Sequence, residues 1–305
     1  MTVIGSGFVG LRSAWYLGHA PTTTPVQLAS TCRAASSQSS GGARRVAVIG
    51  GGFVGLSCAL HLQRAGHTVV LLDSAALAGP ASASFGNAGT FAMYANVPIN
   101  RPGLWKDVPR MLASGGALSI LPTTHLLSMA EWFARFLLAC RPDAVERSAT
   151  ALASLLLVAE EGYQPALRQA GVDVDGRMGV HASSPEGAQL SYAVRRGYLL
   201  LQKTEDMMAG SMWGMELRRK GLGDKLRIEK LSTDEVLRLE PSLSPSAAGG
   251  GAWFFPDAWF LRDPGALLRA LAHGFQEQGG EVGAGPAWKV EALSALPSGR
   301  VRLRL

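Results

Sequence analysis

Gly50, Gly52 and Gly55 stand in the spacing Gly-x-Gly-x-x-Gly, and Asp73 closes the run "HTVVLLD" that follows. Together these residue types suit one kind of chemistry, the holding of a dinucleotide. The first glycine makes a tight turn, the second lets a pyrophosphate approach the backbone, and the third lets the following helix pack on its strand. A carboxylate about twenty residues on takes the ribose hydroxyls. The whole loop, Gly50, Gly51, Gly52, Phe53, Val54 and Gly55, is therefore the candidate cofactor cradle, with Asp73 as its ribose partner.

Such a cradle works only if a buried strand, a helix and a second strand hold it. "RRVAVIG" (44–50) is a β-branched run suited to a central parallel strand. "FVGLSCALHLQRAG" (53–66) predicts a helix with Leu56, Ala59, Leu60 and Leu62 toward the sheet and Gly66 as its stop. "HTVVLLD" predicts the second strand.

The fingerprint occurs twice. Residues 3–11 repeat 48–56 at every position but one, Ser6 standing where Gly51 is. The first copy lacks the rest of the unit: "TTTPVQLASTCRAASSQSSGG" follows where a second strand should be, and no acid precedes Asp73. It is expected to hold no cofactor. It reads as a partial duplication. Residues 1–45 are also acid-free and rich in Ser, Thr and Ala, with Arg12, Arg33, Arg44 and Arg45, the composition of an organelle-targeting segment. A cytoplasmic and a mitochondrial location both stay open.

Composition narrows the classes. The 305 residues are 47% apolar and 17% charged, a globular profile. The net charge of +6 comes from scattered Lys and Arg without an aromatic-interleaved basic stripe, so no nucleic-acid partner is expected. Cys32, Cys58 and Cys140 are too few and too far apart for a disulfide framework, and the six His lie apart, so no metal site is expected. The apolar stretch 115–140 is interrupted by Pro122, His125, Glu131 and Arg135; it predicts helices with one buried face, able to rest on a membrane surface but not to cross it.

Past Asp73, "SAALAGPASASFGNAGTFA" (74–92) reads as a small-residue loop in which Ser84, Asn87, Ala88 and Gly89 could come close to a ligand. Taken with this loop, the unit 44–73 resembles the start of the FAD-dependent D-amino acid dehydrogenases, relatives of D-amino acid oxidase, glycine oxidase and sarcosine oxidase. The resemblance continues in "GYLLLQKTED" (197–206), "LSTDEVLRLEPSL" (231–243) and "FFPDAWFLRDPGALLRAL" (254–271). Residues 173–196 match nothing expected of the family and read as an insertion.

The resemblance implies an α/β fold: a Rossmann-type FAD-binding domain with an inserted α+β substrate domain, incomplete at the C-terminus. Residues 1–43 would be the duplicated segment, 44–100 the FAD-binding βαβ region, 101–245 the substrate region and 246–305 the return to the FAD-binding domain. Local signals agree. A long helix is predicted over 143–171, a strand at "YLLLQ", a helix opened by Thr204-Glu205-Asp206, and another opened by Asp263-Pro264. "EVGAG", "WKVEAL" and "GRVRLRL" predict strands returning to the nucleotide domain. Trp253, Trp259 and Phe260 are expected in apolar core rather than in a pocket.

FAD is the implied cofactor, with Gly50–Gly55 at its pyrophosphate and Asp73 at its ribose. Ser84, Asn87, Ala88 and Gly89 would lie toward the flavin, and the backbone at Val290 would meet the adenine. The implied reaction is oxidation of a small (D-)amino acid's amine to an imine, then to a keto acid and ammonia, with an unassigned electron acceptor. No catalytic residue is assigned, because the family's Arg and Tyr clamp on the substrate carboxylate comes mainly from beyond "VRLRL". A sheet lacking its later strands is expected to expose an apolar edge. A non-catalytic nucleotide-binding product and a nicotinamide-dependent dehydrogenase are the alternative readings.

Overall fold

The computed structural model describes residues 2–5, 42–100, 102–106, 128–169, 172–175, 179–183, 189–193, 195–261 and 263–305. In chain order the elements are β1 (Thr2–Gly5), β2 (Arg45–Ile49), α1 (Phe53–Arg64), β3 (Thr68–Asp73), β4 (Thr90–Phe91), α2 (Ala130–Ala139) and α3 (Pro142–Gln169). There follow β5 (Val172–Asp175), β6 (Gly179–Ser183), β7 (Gln189–Ala193), β8 (Arg195–Leu201), α4 (Glu205–Leu222), β9 (Glu229–Leu231) and α5 (Thr233–Leu239). The last are β10 (Ala252–Phe260), α6 (Pro264–Glu277), β11 (Glu281–Ala284), β12 (Ala292–Ala295) and β13 (Val301–Arg304). They form two compact units, one of residues 1–91, 158–196 and 259–305, the other of 92–157 and 197–258.

The first unit is built on a four-stranded parallel sheet in the order β1-β2-β3-β11. The predicted β2–α1–β3 unit forms with its boundaries close to those expected. Val46, Ala47 and Val48 are at most 2% exposed, as a strand covered on both faces requires. On α1, Leu56, Ala59 and Leu60 are fully buried and Leu62 is partly so. Gly66, at φ +84°, ends the helix in a conformation that a side chain would strain.

α6 shares this core through Leu267, Leu268, Leu271 and Phe275. Each such side chain contributes about 1.5–3 kcal/mol relative to an exposed one. Polar ties hold the periphery: Gln63 Nε2 donates to the Phe275 carbonyl at 3.0 Å, and His61 Nε2 donates to the Gly162 carbonyl at 2.7 Å. The α6 start is as predicted, with the Asp263 carboxylate accepting from Ala266 N–H at 2.8 Å and Pro264 at the first helical position.

"WKVEAL" and "GRVRLRL" lie in this first unit without joining its parallel sheet. Among the described residues their strands, β12 and β13, pair antiparallel with each other, and β11 joins β3 on the side away from β2. β5, β6 and β7, which fall almost wholly within residues 173–196 that read as an insertion, form a separate antiparallel meander.

In the second unit, β9 pairs antiparallel with the start of β10, and β8 flanks β10 on the other side. The core gathers Met208, Met215, Leu222, Trp253, Phe255 and Ala258. Trp253 is 1% exposed, core as expected, and its indole N–H donates to Ser211 Oγ at 2.7 Å. Thr204 caps α4 by accepting from Met207 N–H, and Ser232 with Glu235 forms a capping box on α5.

The helix expected late in 115–140 is α2, but it does not bury one face. Among its residues none is buried, and Trp132, Leu137 and Leu138 are exposed; only Cys140, just past its end, is covered. Residues 115–127 of that stretch lie outside the described residues. Among the described residues, no helix is long and apolar enough to cross a membrane.

Candidate functional site

The C-terminal ends of β2 and β3 bring the predicted loop and its acid together. Gly50 donates its N–H to the Leu72 carbonyl at 2.7 Å, carrying the β2–β3 ladder one residue past the strand, then turns at φ +100°, where a side chain would be strained. Gly51 N–H points at the Asp73 carboxylate, 2.7 Å from Oδ2, and the other carboxylate oxygen accepts from Ala75 N–H at 2.9 Å. Asp73 thus ties the glycine turn to the exit of β3. A carboxylate has about four acceptor sites, so these two bonds leave capacity for ribose hydroxyls.

Gly52 is the N-cap of α1 and gives it no side-chain cap. The helix has no acid in its first turn, so its positive end is uncompensated there. Phe53 N–H donates to Ser84 Oγ at 3.0 Å, and Ser84 N–H in turn donates to Ser82 Oγ at 3.2 Å. A Cβ on Gly52 would lie 2.8 Å from Ser84 Oγ, so the loop 82–84 already crowds the glycine. Gly55 is buried against the sheet, Phe53 packs partly on the core, and Val54 is 65% exposed.

The remaining candidates divide. Ser84 sits at the start of α1, where its Oγ accepts from Phe53 N–H. Asn87 Oδ1 accepts from Gly89 N–H at 2.6 Å, a local turn. Gly89 stands at φ +65°, with its N–H engaged by Asn87. It packs where a Cβ would meet the Leu261 carbonyl at 2.7 Å, and its own carbonyl accepts from Leu261 N–H. Ala88 is exposed.

Val290 lies in the link between the short 3-10 turn Pro286–Trp288 and β12, two residues before the strand it was expected to occupy. The residue that meets the end of β3 is Gly285, whose N–H donates to the carbonyls of Asp73 and Ala75 at 3.1 Å each. Sequence reading missed Gly285 and Ser82. The first carries the signal of a glycine right after a strand; the second, one serine among several in a small-residue loop, carries none.

Nearby, Phe91 stacks on Trp259 with ring centroids 3.5 Å apart, and Tyr163 meets Phe91 edge-on at 5.3 Å. All three pack partly against the first unit's core, so Trp259 belongs to core as expected. Burial, aided by Glu160, pushes the Tyr163 phenol well up, which keeps it neutral. Burial likewise raises the Cys58 thiol within α1, so it is no ready nucleophile. Among the described residues, no cluster of His, Cys, Asp and Glu could hold a metal.

The features of this site suit a dinucleotide. A helix N-terminus whose N-cap glycine supplies no side-chain cap suits a pyrophosphate, and a carboxylate stands at the end of the next strand. The family described as FAD-dependent oxidoreductase matches residues 45–300. The chain belongs to that family. It is similar to a D-amino-acid oxidase of Bradyrhizobium diazoefficiens, 30% identical over 207 residues that cover 67% of this chain and 44% of that protein.

Among solved structures it is similar to glycine oxidase of Geobacillus kaustophilus, with a TM-score of 0.49 and 16% identity over 86% of this chain and 51% of that one. L-α-glycerophosphate oxidase of Mycoplasma pneumoniae matches with the same TM-score and identity, over 86% of this chain and 50% of that one. The chain spans about half the length of these relatives.

Proposed function

We propose that the first unit holds FAD in a Rossmann-type cradle and that the protein serves the oxidation of the amine of a small amino acid, with the D-amino acids as its substrate class. The observation that carries this reading is the joint geometry of the Gly50–Gly55 turn, the start of α1 at Gly52 and the Asp73 carboxylate. In it, α1 offers its first-turn N–H groups to the pyrophosphate, and Ser84 fixes that turn through Phe53 N–H. Asp73 holds Gly51 in place and offers its spare acceptor sites to the ribose.

When bound, FAD supplies the two-electron acceptor that turns the amine into an imine. Water then converts the imine to a keto acid and ammonia. Residues 101–245 are read as the inserted substrate region. The 30% identity to a D-amino-acid oxidase supports the substrate class. A small amine and an electron acceptor of open identity are the partners. The exposed Trp132, Leu137 and Leu138 of α2 support peripheral contact with a membrane surface.

The decisive experiment expresses the whole chain and compares its visible spectrum before and after denaturation. Bound flavin released as FAD supports the reading, and D-amino acids with an artificial acceptor then test the substrate class. A folded but colourless protein that also fails to take up added FAD overturns it.

A further inference from the structure

Arg218 stands on α4 among apolar neighbours, with Met215, Leu217 and Leu222 buried around it. Its side chain folds back along the helix, as long helical side chains do. Nη1 donates to the Gly214 carbonyl one turn back at 3.0 Å, and Nε donates to the Tyr94 carbonyl at 2.9 Å. Gly214 makes room for this, since a Cβ there would stand 3.3 Å from Nη1. The guanidinium has further N–H donors, and among the described residues these have no protein partner.

Its charge is unmatched as well. The neighbouring cations have partners, Lys220 in Glu146 at 4.0 Å and Arg219 in the Trp253 ring and the Ile228 carbonyl. Arg218 is half-buried, and burial pushes its guanidinium below the usual range. Only the phenols of Tyr94 and Tyr198 couple to its charge, and among the described residues no carboxylate does. Buried charges are ordinarily paired.

Tyr94 stands beside it. Its ring stacks on Tyr198 at 4.9 Å and tilts against Phe255 at 4.6 Å. Burial and then Tyr198 hold its phenol up against the pull of Arg218, so it stays a neutral donor. Two residues on, Asn96 is fully buried and neither of its amide atoms has a hydrogen-bond partner. It lies against Gly221, one turn past Arg218 on α4, where a Cβ would meet Asn96 Nδ2 at 2.8 Å. This contact of 94–96 with α4 thus holds polar groups left unmet, which is rare in native interiors.

We propose that Arg218 and Tyr94 form an anion site within the second unit, and that its ligand is a small carboxylate. The guanidinium fork matches a carboxylate in geometry, and the Tyr94 hydroxyl supplies a further donor. One positive charge balances one negative charge. A doubly charged phosphate would keep half of its charge uncompensated in a partly desolvated place. The proposal uses side chains of the second unit alone and stands apart from the flavin reading.

Titration of the whole chain with isotope-labelled acetate tests it, followed by NMR line broadening with chloride holding the ionic strength constant. Saturable broadening is expected. Arg218→Gln should weaken it about ten- to a hundredfold, and Tyr94→Phe, which keeps the ring, by a smaller factor. Gly52→Asp, expected to lose flavin, should bind acetate unchanged, so a failure of the flavin reading is told apart from a failure here. D-Alanine binding more tightly than acetate through Arg218 identifies the source as an amino acid, and weaker binding identifies a simple acid; both support the site. If Arg218→Gln does not fold, Tyr94→Phe decides, and undiminished broadening there overturns the proposal. Absence of saturable broadening in the unsubstituted chain, or broadening that survives Arg218→Gln, overturns it too. Phosphate displacing acetate at a far lower concentration overturns the carboxylate assignment.

Discussion

Gly52 shows how little room the cradle leaves. Its hypothetical Cβ falls 2.8 Å from Ser84 Oγ, the atom that accepts the Phe53 N–H. Gly52→Asp adds both that clash and a negative charge where the pyrophosphate is read to lie, so we expect flavin uptake to be lost, measured by absorbance of the purified protein. Gly52→Ala adds the clash alone, and Ser84 must turn away and give up its hydrogen bond. Because the conflict is between two named side chains, Gly52→Ala with Ser84→Ala should bind flavin better than Gly52→Ala alone. The two changes share one contact, so the expected coupling is about 0.5–3 kcal/mol. Fluorescence titration of the four proteins measures it, and strict additivity would mean that Ser84 does not press on the loop.

At the scale of elements, local chemistry sets where helices begin, and one start is pH-sensitive. Glu235 accepts from the Ser232 backbone N–H and hydroxyl at 2.8 and 2.7 Å, and these bonds hold its carboxyl below the usual range. A carboxyl lowered in the folded state adds stability above its unfolded value. That contribution disappears as the pH falls through the lower folded value. The whole chain should therefore melt higher than Glu235→Gln at neutral pH, with the gap closing in acid; a gap unchanged by pH would show that the charge plays no part.

The same scale explains what could be read from residues alone. β2, α1, β3 and the helix starts at Thr204 and Asp263 follow from neighbours a few positions apart, so local sequence signals suffice. The start of β12 does not. It is set by pairing with β13, Ala292 opposite Arg304, and this leaves Val290 outside the strand. Nor could periodicity tell that α2 would leave its apolar residues uncovered, since a hydrophobic helix predicts burial without naming what covers it. The candidate site was legible where one βαβ unit builds it, at Gly50–Gly55 and Asp73. Gly285 arrives from more than 200 residues away by the β3–β11 pairing, and Ser82 through a loop with no pattern.

For the whole molecule, the sheet order β1-β2-β3-β11 places the cofactor strand inside rather than at an edge. A ligand held at the ends of β2 and β3 engages only the folded sheet, so its binding adds to stability. With free FAD at a hundredfold its Kd, the gain is about 2.7 kcal/mol, a Tm rise on the order of 5–10 °C for a unit of this size. NAD offers the same pyrophosphate and ribose to the helix start and to Asp73, but no flavin for the remainder of the site. If the family's cofactor is the one this chain holds, thermal scans with each ligand in turn should show the rise with FAD and little with NAD at the same concentration. Equal rises would mean that the cradle recognises only the shared ADP portion. A larger rise with NAD would move the chain to the nicotinamide dehydrogenases.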